Sequence, residues 1–167
     1  ELADHVTVSG GERHTVSADR ATVGGGFTNT ASGKHATVGG GSTNEASDTN
    51  ATISGGSNNA SGFGCTVGGG QQNDASSGVN ATIGRGQQNT SSGGSSTVAG
   101  GNQNVASGTN SFAVGNICTA DGDYSVAMGR KAKTGGNNGT FVFSDGTDTE
   151  TTADVVNQVR FQAGGGF

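Results

Sequence analysis

Between Ala21 and Gly62 the chain reads ATVGGGFTNTASGKH, ATVGGGSTNEASDTN, ATISGGSNNASG, with two short bursts of apolar and polar alternation in every repeat. One burst centres on Val23 or Val38 and the other on Ala31 or Ala46, and Gly, Asn and Ser punctuate the intervals. Alternation over a few residues marks a half-buried strand. Its return at a fixed step, mostly 15 residues, marks a solenoid, in which each repeat is one rung that buries its face only against its neighbours. The pattern predicts an all-β, narrow parallel β-roll with two short strands per rung and no helix longer than two turns.

Steps of 14 to 16 residues bring the rungs into columns. The first holds Val6, Ala21, Ala36, Ala51, Cys65, Ala81, Ser96, Ser111 and Ser125. Two positions on stand Val8, Val23, Val38, Ile53, Val67, Ile83 and Val98, then Ala113 and Ala127. Side chains at i and i+2 share a strand face, so both columns point inward, and the second is the predicted roll core. The other strand supplies Val16, Ala31, Ala46, Ala60, Ala75, Ser91, Ala106 and Ala120, with Asn29, Asn44, Asn73, Asn89 and Asn104 two residues earlier on the same face. Identical Asn side chains stacked in register form hydrogen-bonded ladders. Gly and Asn are expected in the turns, where positive φ is needed. At about 4.8 Å between strands the stack stands on the order of 45 Å tall.

The outward positions carry Thr7, Thr22, Thr37, Thr52, Thr66, Thr82 and Thr97, paired with Ser9, Gly24, Gly39, Ser54, Gly68, Gly84 and Ala99. In the next two rungs they become Phe112 and Val114, then Val126 and Met128, just as the inward column shrinks to Ala113 and Ala127. An apolar stripe on an outer face is a contact surface, and Gly within a strand marks close approach of another backbone. Composition strengthens the case for a partner. Only 29% of the chain is hydrophobic, 34 of 167 residues are Gly, and Trp is missing. A buried Val or Ile contributes roughly 1.5–3 kcal/mol, whereas ordering costs about 1–2 kcal/mol per residue. Oligomerisation is the available source of further burial.

The segments Asn110-Ser111-Phe112-Ala113-Val114-Gly115 and Tyr124-Ser125-Val126-Ala127-Met128-Gly129, with the turns Ala120-Asp121-Gly122 and Ala31-Ser32-Gly33, resemble the NSVAIG-type repeats in the heads of YadA-like trimeric autotransporter adhesins. The resemblance spans about residues 5 to 135. It implies a left-handed roll and a parallel homotrimer in which Phe112, Val114, Val126 and Met128 face the common axis. It also implies a non-enzymatic adhesin head on the bacterial cell surface, anchored in the outer membrane by another part of the full-length protein. The implied partners are extracellular matrix proteins or cell-surface glycans. Seven rungs depart from the pattern, with Thr and Gly at the axis-facing positions.

Residues 136–167 leave the 15-residue pattern. Phe141 and Phe143 are expected to close a last rung, Asp145 to Asp154 to form an acidic loop, and Val155 to Phe161 to form a strand. The division is therefore 1–135 for the head repeats and 136–167 for a cap or transition segment, as a solenoid end requires. Caps of this kind also occur in phage tail fibres, which makes a tail-fibre or injection-machine fibre segment the alternative context. The Thr column raises a third reading, an ice-binding solenoid. The chain opens in mid-repeat at His5-Val6-Thr7-Val8 and stops at Gly164-Gly165-Gly166-Phe167, as expected of a piece of a longer protein.

Charge and chemistry remove other classes. Net charge is −5 without a run of Lys or Arg, so the footprint of a nucleic-acid binder is missing. Apolar runs are too short for a membrane helix, and no direct membrane insertion of this segment is expected. Cys65 and Cys118 fall three to four rungs apart, roughly 15 Å at strand spacing, beyond the reach of a disulfide. Both are expected as free, buried thiols, and neither sits in a CxxC. His5 and His35 share a turn position with Arg20 between them, while His14 takes an Asn slot. None of the three meets the ligands a metal site needs. GGxGxD calcium repeats are absent, TVGGG lacks the Gly-Lys-Ser/Thr ending of a phosphate loop, and no nucleophile elbow or paired-carboxylate spacing occurs. No catalytic residue, cofactor or metal is expected.

Overall fold

The computed structural model describes residues 4–146 and 149–164. Glu1 to Ala3, Thr147 and Asp148 of the acidic loop, and the terminal Gly165 to Phe167 lie outside the described residues. Two parallel sheets of 12 and 10 strands face each other, and the chain alternates between them to make a parallel β-solenoid of about 10 turns. Most strands are two residues long, such as Thr22–Val23 and Thr30–Ala31. In the later rungs they lengthen to Phe112–Asn116, Val126–Arg130 and Phe141–Ser144. No helix occurs among the described residues.

Val23, Val38, Ile53, Val67, Ile83, Val98, Ala113 and Ala127 stack in this order and are fully buried, and Val142 continues the column. Val8 departs from the expected core: it is 49% exposed, because the described residues place a rung on only one of its sides. The small column is likewise buried from Ala21 to Ser125, whereas Val6 is 37% exposed.

The second strand corrects one register. Ser61, not Ala60, occupies the inward slot, stacked between Ala46 and Ala75. The Asn two residues earlier is accordingly Asn59, which is buried. The corner at Phe63 is one residue short and the corner at Val79 one residue long, so the rungs on either side keep their alignment. Each interior Asn donates its Nδ2 to the Oδ1 of the Asn one rung before it, at 3.0–3.1 Å from Asn44 through Asn104. His14 begins this ladder by accepting the Asn29 N–H on Nδ1, and Cys118 ends it by donating its N–H to Asn104.

Gly and Asn take positive φ in the turns as expected, among them Gly26, Gly41, Asn50 and Asn80, but other residue types share the role. Besides these glycines, non-glycine residues take left-handed backbone in both corners. One corner uses His5, Arg20, His35, Asn50, Asn80, Ser95, Asn110 and Tyr124 there, and the other uses Arg13, Thr28, Thr43, Gln72, Gln88, Gln103, Ile117 and Lys131. For a β-branched residue such as Thr28 (φ 52°) or Ile117 (φ 58°) this conformation is costly. Inter-rung hydrogen bonds hold it: Thr28 N–H donates to Glu12 and Ile117 N–H to Asn102, both at 2.9 Å.

The ladder crosses residue 135 without a break. Phe141–Ser144 pairs with Val126–Arg130, and Val159–Gln162 pairs with Phe141–Ser144. Of the strand expected over Val155 to Phe161, only its second half forms, while Asn157 takes the corner position at φ 56°. Arg160 stacks on Val142 in the inward column. Its guanidinium donates to Asp154 at 2.6 Å and to the Thr152 carbonyl at 2.7 Å, so a charge that is paired closes this end of the roll.

Candidate functional site

The outer face of the 12-stranded sheet carries two parallel columns. One runs Thr7, Thr22, Thr37, Thr52, Thr66, Thr82 and Thr97, each directly on the last, then Phe112, Val126, Phe141 and Val159. The other ends in Val114, Met128, Phe143 and Phe161. Period-two alternation explains the arrangement, since Ala113, Ala127 and Val142 between them are buried inside.

Val114 does not continue the column of Ala99. The register slips between Val98 and Gly100, and Val114 pairs with Gly100. Earlier rungs spend one more residue on this strand, which is absorbed as a bulge that leaves one residue unpaired. The second column is therefore Gly10, Gly25, Gly40, Gly55, Gly69, Arg85 and Gly100 before it reaches Val114. Carbonyl contacts agree: a Cβ at Gly40, Gly55 or Gly69 would stand 3.9, 3.9 or 3.6 Å from the carbonyl oxygen of the preceding column member.

This face changes character along the stack. Over the first seven rungs it presents hydroxyl, methyl and bare backbone, with Arg85 the one long side chain. From Phe112 onward it is a two-column apolar wall. Phe112, Val114, Val126, Met128, Phe141 and Phe143 are half-buried, and Val159 and Phe161 are 65% and 49% exposed. The rings of Phe141 and Phe161 lie 5.5 Å apart, those of Phe143 and Phe161 6.2 Å, both tilted. The sequence pattern picked out Phe112, Val114, Val126 and Met128. Val159 and Phe161 escaped it, although the spacing of Phe112-x-Val114, Val126-x-Met128 and Phe141-x-Phe143 repeats in Val159-x-Phe161.

Both cysteines are free and buried. Burial pushes both thiols up from their ordinary range. Cys65 Sγ donates to the Gly78 carbonyl at 3.1 Å and accepts the Ala81 N–H at 3.2 Å, while Cys118 Sγ donates to the Gly129 carbonyl at 3.2 Å. They act as small core residues with local hydrogen bonds. His5 and His35 are exposed at their corners, and among the described residues no three His, Cys, Asp or Glu side chains form a group able to hold a metal ion. Elsewhere the surface bears an amide ridge, in which Gln71, Gln87, Asn102 and Asn116 stack rung on rung. The chain matches no known family model, and no match was found among curated proteins.

Proposed function

We propose that this chain is a non-enzymatic adhesin-head segment that works as a parallel homotrimer of left-handed rolls, in the manner of YadA-like heads, outside the cell on a bacterial surface. The observation that carries this reading is the double apolar column on the outside of the first sheet. Eight large side chains stand there, in pairs on successive strands, on a roll whose largest fully buried side chains are Ile, Val and Asn. Three copies set side by side about a common axis bury these columns against one another, and closed symmetry satisfies each copy equally. The glycines of the same column, from Gly10 to Gly69, let the backbones approach closely along the rungs before Arg85. Binding by such a head is avid, because three identical sides engage together and weak contacts add through effective concentration. Extracellular matrix proteins and cell-surface glycans are the ligand classes.

A second reading follows from the Thr column, in which seven hydroxyl-bearing side chains stand directly in register on one face. An exposed rank of this kind orders water and suits ice. One screen separates the two. The purified chain is tested against immobilised matrix proteins, a glycan array and growing ice crystals. Saturable binding to a matrix protein or glycan supports the adhesin. Thermal hysteresis or shaped crystals, with no such binding, supports the Thr-rank alternative.

A further inference from the structure

Arg85 is the one charged side chain in the second outer column, and three observations give it a role. The first is its place. Gly86 pairs with Gly101, the Arg85 carbonyl oxygen lies 2.8 Å from where a Gly100 Cβ would stand, and Gly100 pairs with Val114. Arg85 thus heads the column of Val114 and Met128. The second is its surroundings. It borders a depression floored by Ser54, Gly55, Gly56, Gly68, Gly69 and Gly70, and its Nε lies 3.9 Å from where a Gly69 Cβ would stand. The side chain is laid back along the column over bare backbone.

The third is that, among the described residues, no carboxylate stands at the outward positions of the rungs beside it. Outward positions of the neighbouring rungs on this sheet are Thr52, Ser54, Thr66, Thr82, Thr97 and glycines. The nearest acid in sequence, Asp74, belongs to a strand of the opposite sheet.

We infer that Arg85 forms an oxyanion site on the symmetry axis: three guanidinium groups, one from each chain, share one tetrahedral anion of the sulfate or phosphate class. This rests on the homotrimer proposed above. Three like charges brought together over a floor without acids repel one another, and less water is left to screen them. The planar guanidinium fork matches an oxyanion in charge and geometry. The glycine floor leaves room for the ion, which larger side chains would fill.

The test uses the full chain, with inorganic sulfate as the probe, at constant ionic strength. Sedimentation equilibrium fixes the assembly state, and thermal unfolding is followed from zero to about ten millimolar sulfate, alongside Arg85→Gly and Arg85→Gln. Glycine is the residue the same column carries in neighbouring rungs. The expected result is a melting temperature that rises by several degrees and saturates for the parent chain, a flat response for both variants, and a calorimetric stoichiometry of one sulfate per three chains. A trimer whose parent and variant forms respond equally to sulfate overturns the anion site and leaves the assembly standing. A parent chain that sediments as a monomer overturns both.

Discussion

Asn73 donates its side-chain amide to Oδ1 of Asn59 across 3.1 Å, and its backbone N–H reaches the same oxygen at 3.0 Å. Its Nδ2 also lies 2.9 Å from the carbonyls of Gly69 and Gly86, while its own Oδ1 accepts both donors of Asn89. Removing this side chain strands buried groups on three sides. Each buried group left unsatisfied costs about 1–3 kcal/mol, so Asn73→Ala is expected to lose on the order of 3 kcal/mol. Asn102, half-buried on the outer amide ridge, is expected to lose no more than about 0.5 kcal/mol on the same change. Urea unfolding of the two variants checks the difference; equal losses would contradict the interior ladder.

Gly108 and Gly94 make a second pair. A Cβ at Gly108 would stand 2.0 Å from the carbonyl oxygen of Gly122, which belongs to the next rung's backbone and cannot move aside. At Gly94 the nearest atom is a Thr109 methyl at 3.9 Å, and no left-handed backbone is required. Gly94→Ala should therefore stabilise by about 0.4–1 kcal/mol, through the unfolded state alone. Gly108→Ala should push the rungs apart and lower the melting temperature by many degrees. Unfolding curves of both variants decide it, and a Gly108→Ala chain of unchanged stability would refute the stacking.

The columns from Val23 to Ala127 were legible because the repeat step is nearly constant and strand alternation has a period of two. Register failed where that step broke. Ala60, with Asn58 two residues before it, looked like the small residue of its rung, yet the eight-residue step from the aliphatic column, as from Val23 to Ala31, Val38 to Ala46 and Val67 to Ala75, leads from Ile53 to Ser61. The pairing of Val114 with Gly100 instead of Ala99 was hidden for a related reason, since a bulge leaves no mark on alternation. Positive φ in the corners was expected of Gly and Asn, but its adoption by other residues was hidden. Thr28 and Ile117 hold a conformation that their own preferences oppose, and neighbouring rungs impose it. Val159 and Phe161 went unpaired with the apolar columns because the last step, from Val142 to its partner Arg160, is longer than the 15-residue period.

The thiols give a pH dependence. Burial raises both folded-state pKa values, so the folded chain keeps these protons where the unfolded chain, whose thiols ionise near about 8.5, releases them. Their contribution to stability is complete below that pH and is lost as the pH rises through the raised folded values. The expected outcome is a fall in stability above about pH 8.5 that is reduced in the Cys65→Ala, Cys118→Ala double variant. Below it, reducing agent leaves the melting temperature unchanged, and a thiol reagent labels the chain only as it unfolds. Rapid labelling of native protein at neutral pH would contradict the buried placement.

The direct test of assembly is the mass in solution of the parent chain beside Val114→Asp and Met128→Asp. Both residues stand outside the roll interior, so each variant should keep the far-ultraviolet signature of strands. A carboxylate in an enclosed apolar wall meets no partner, and desolvation alone costs several kcal/mol. Sedimentation equilibrium should return three times the chain mass for the parent and one chain mass for both variants. A parent that stays monomeric at tens of micromolar, or variants that remain trimeric with unaltered melting temperatures, would contradict the account.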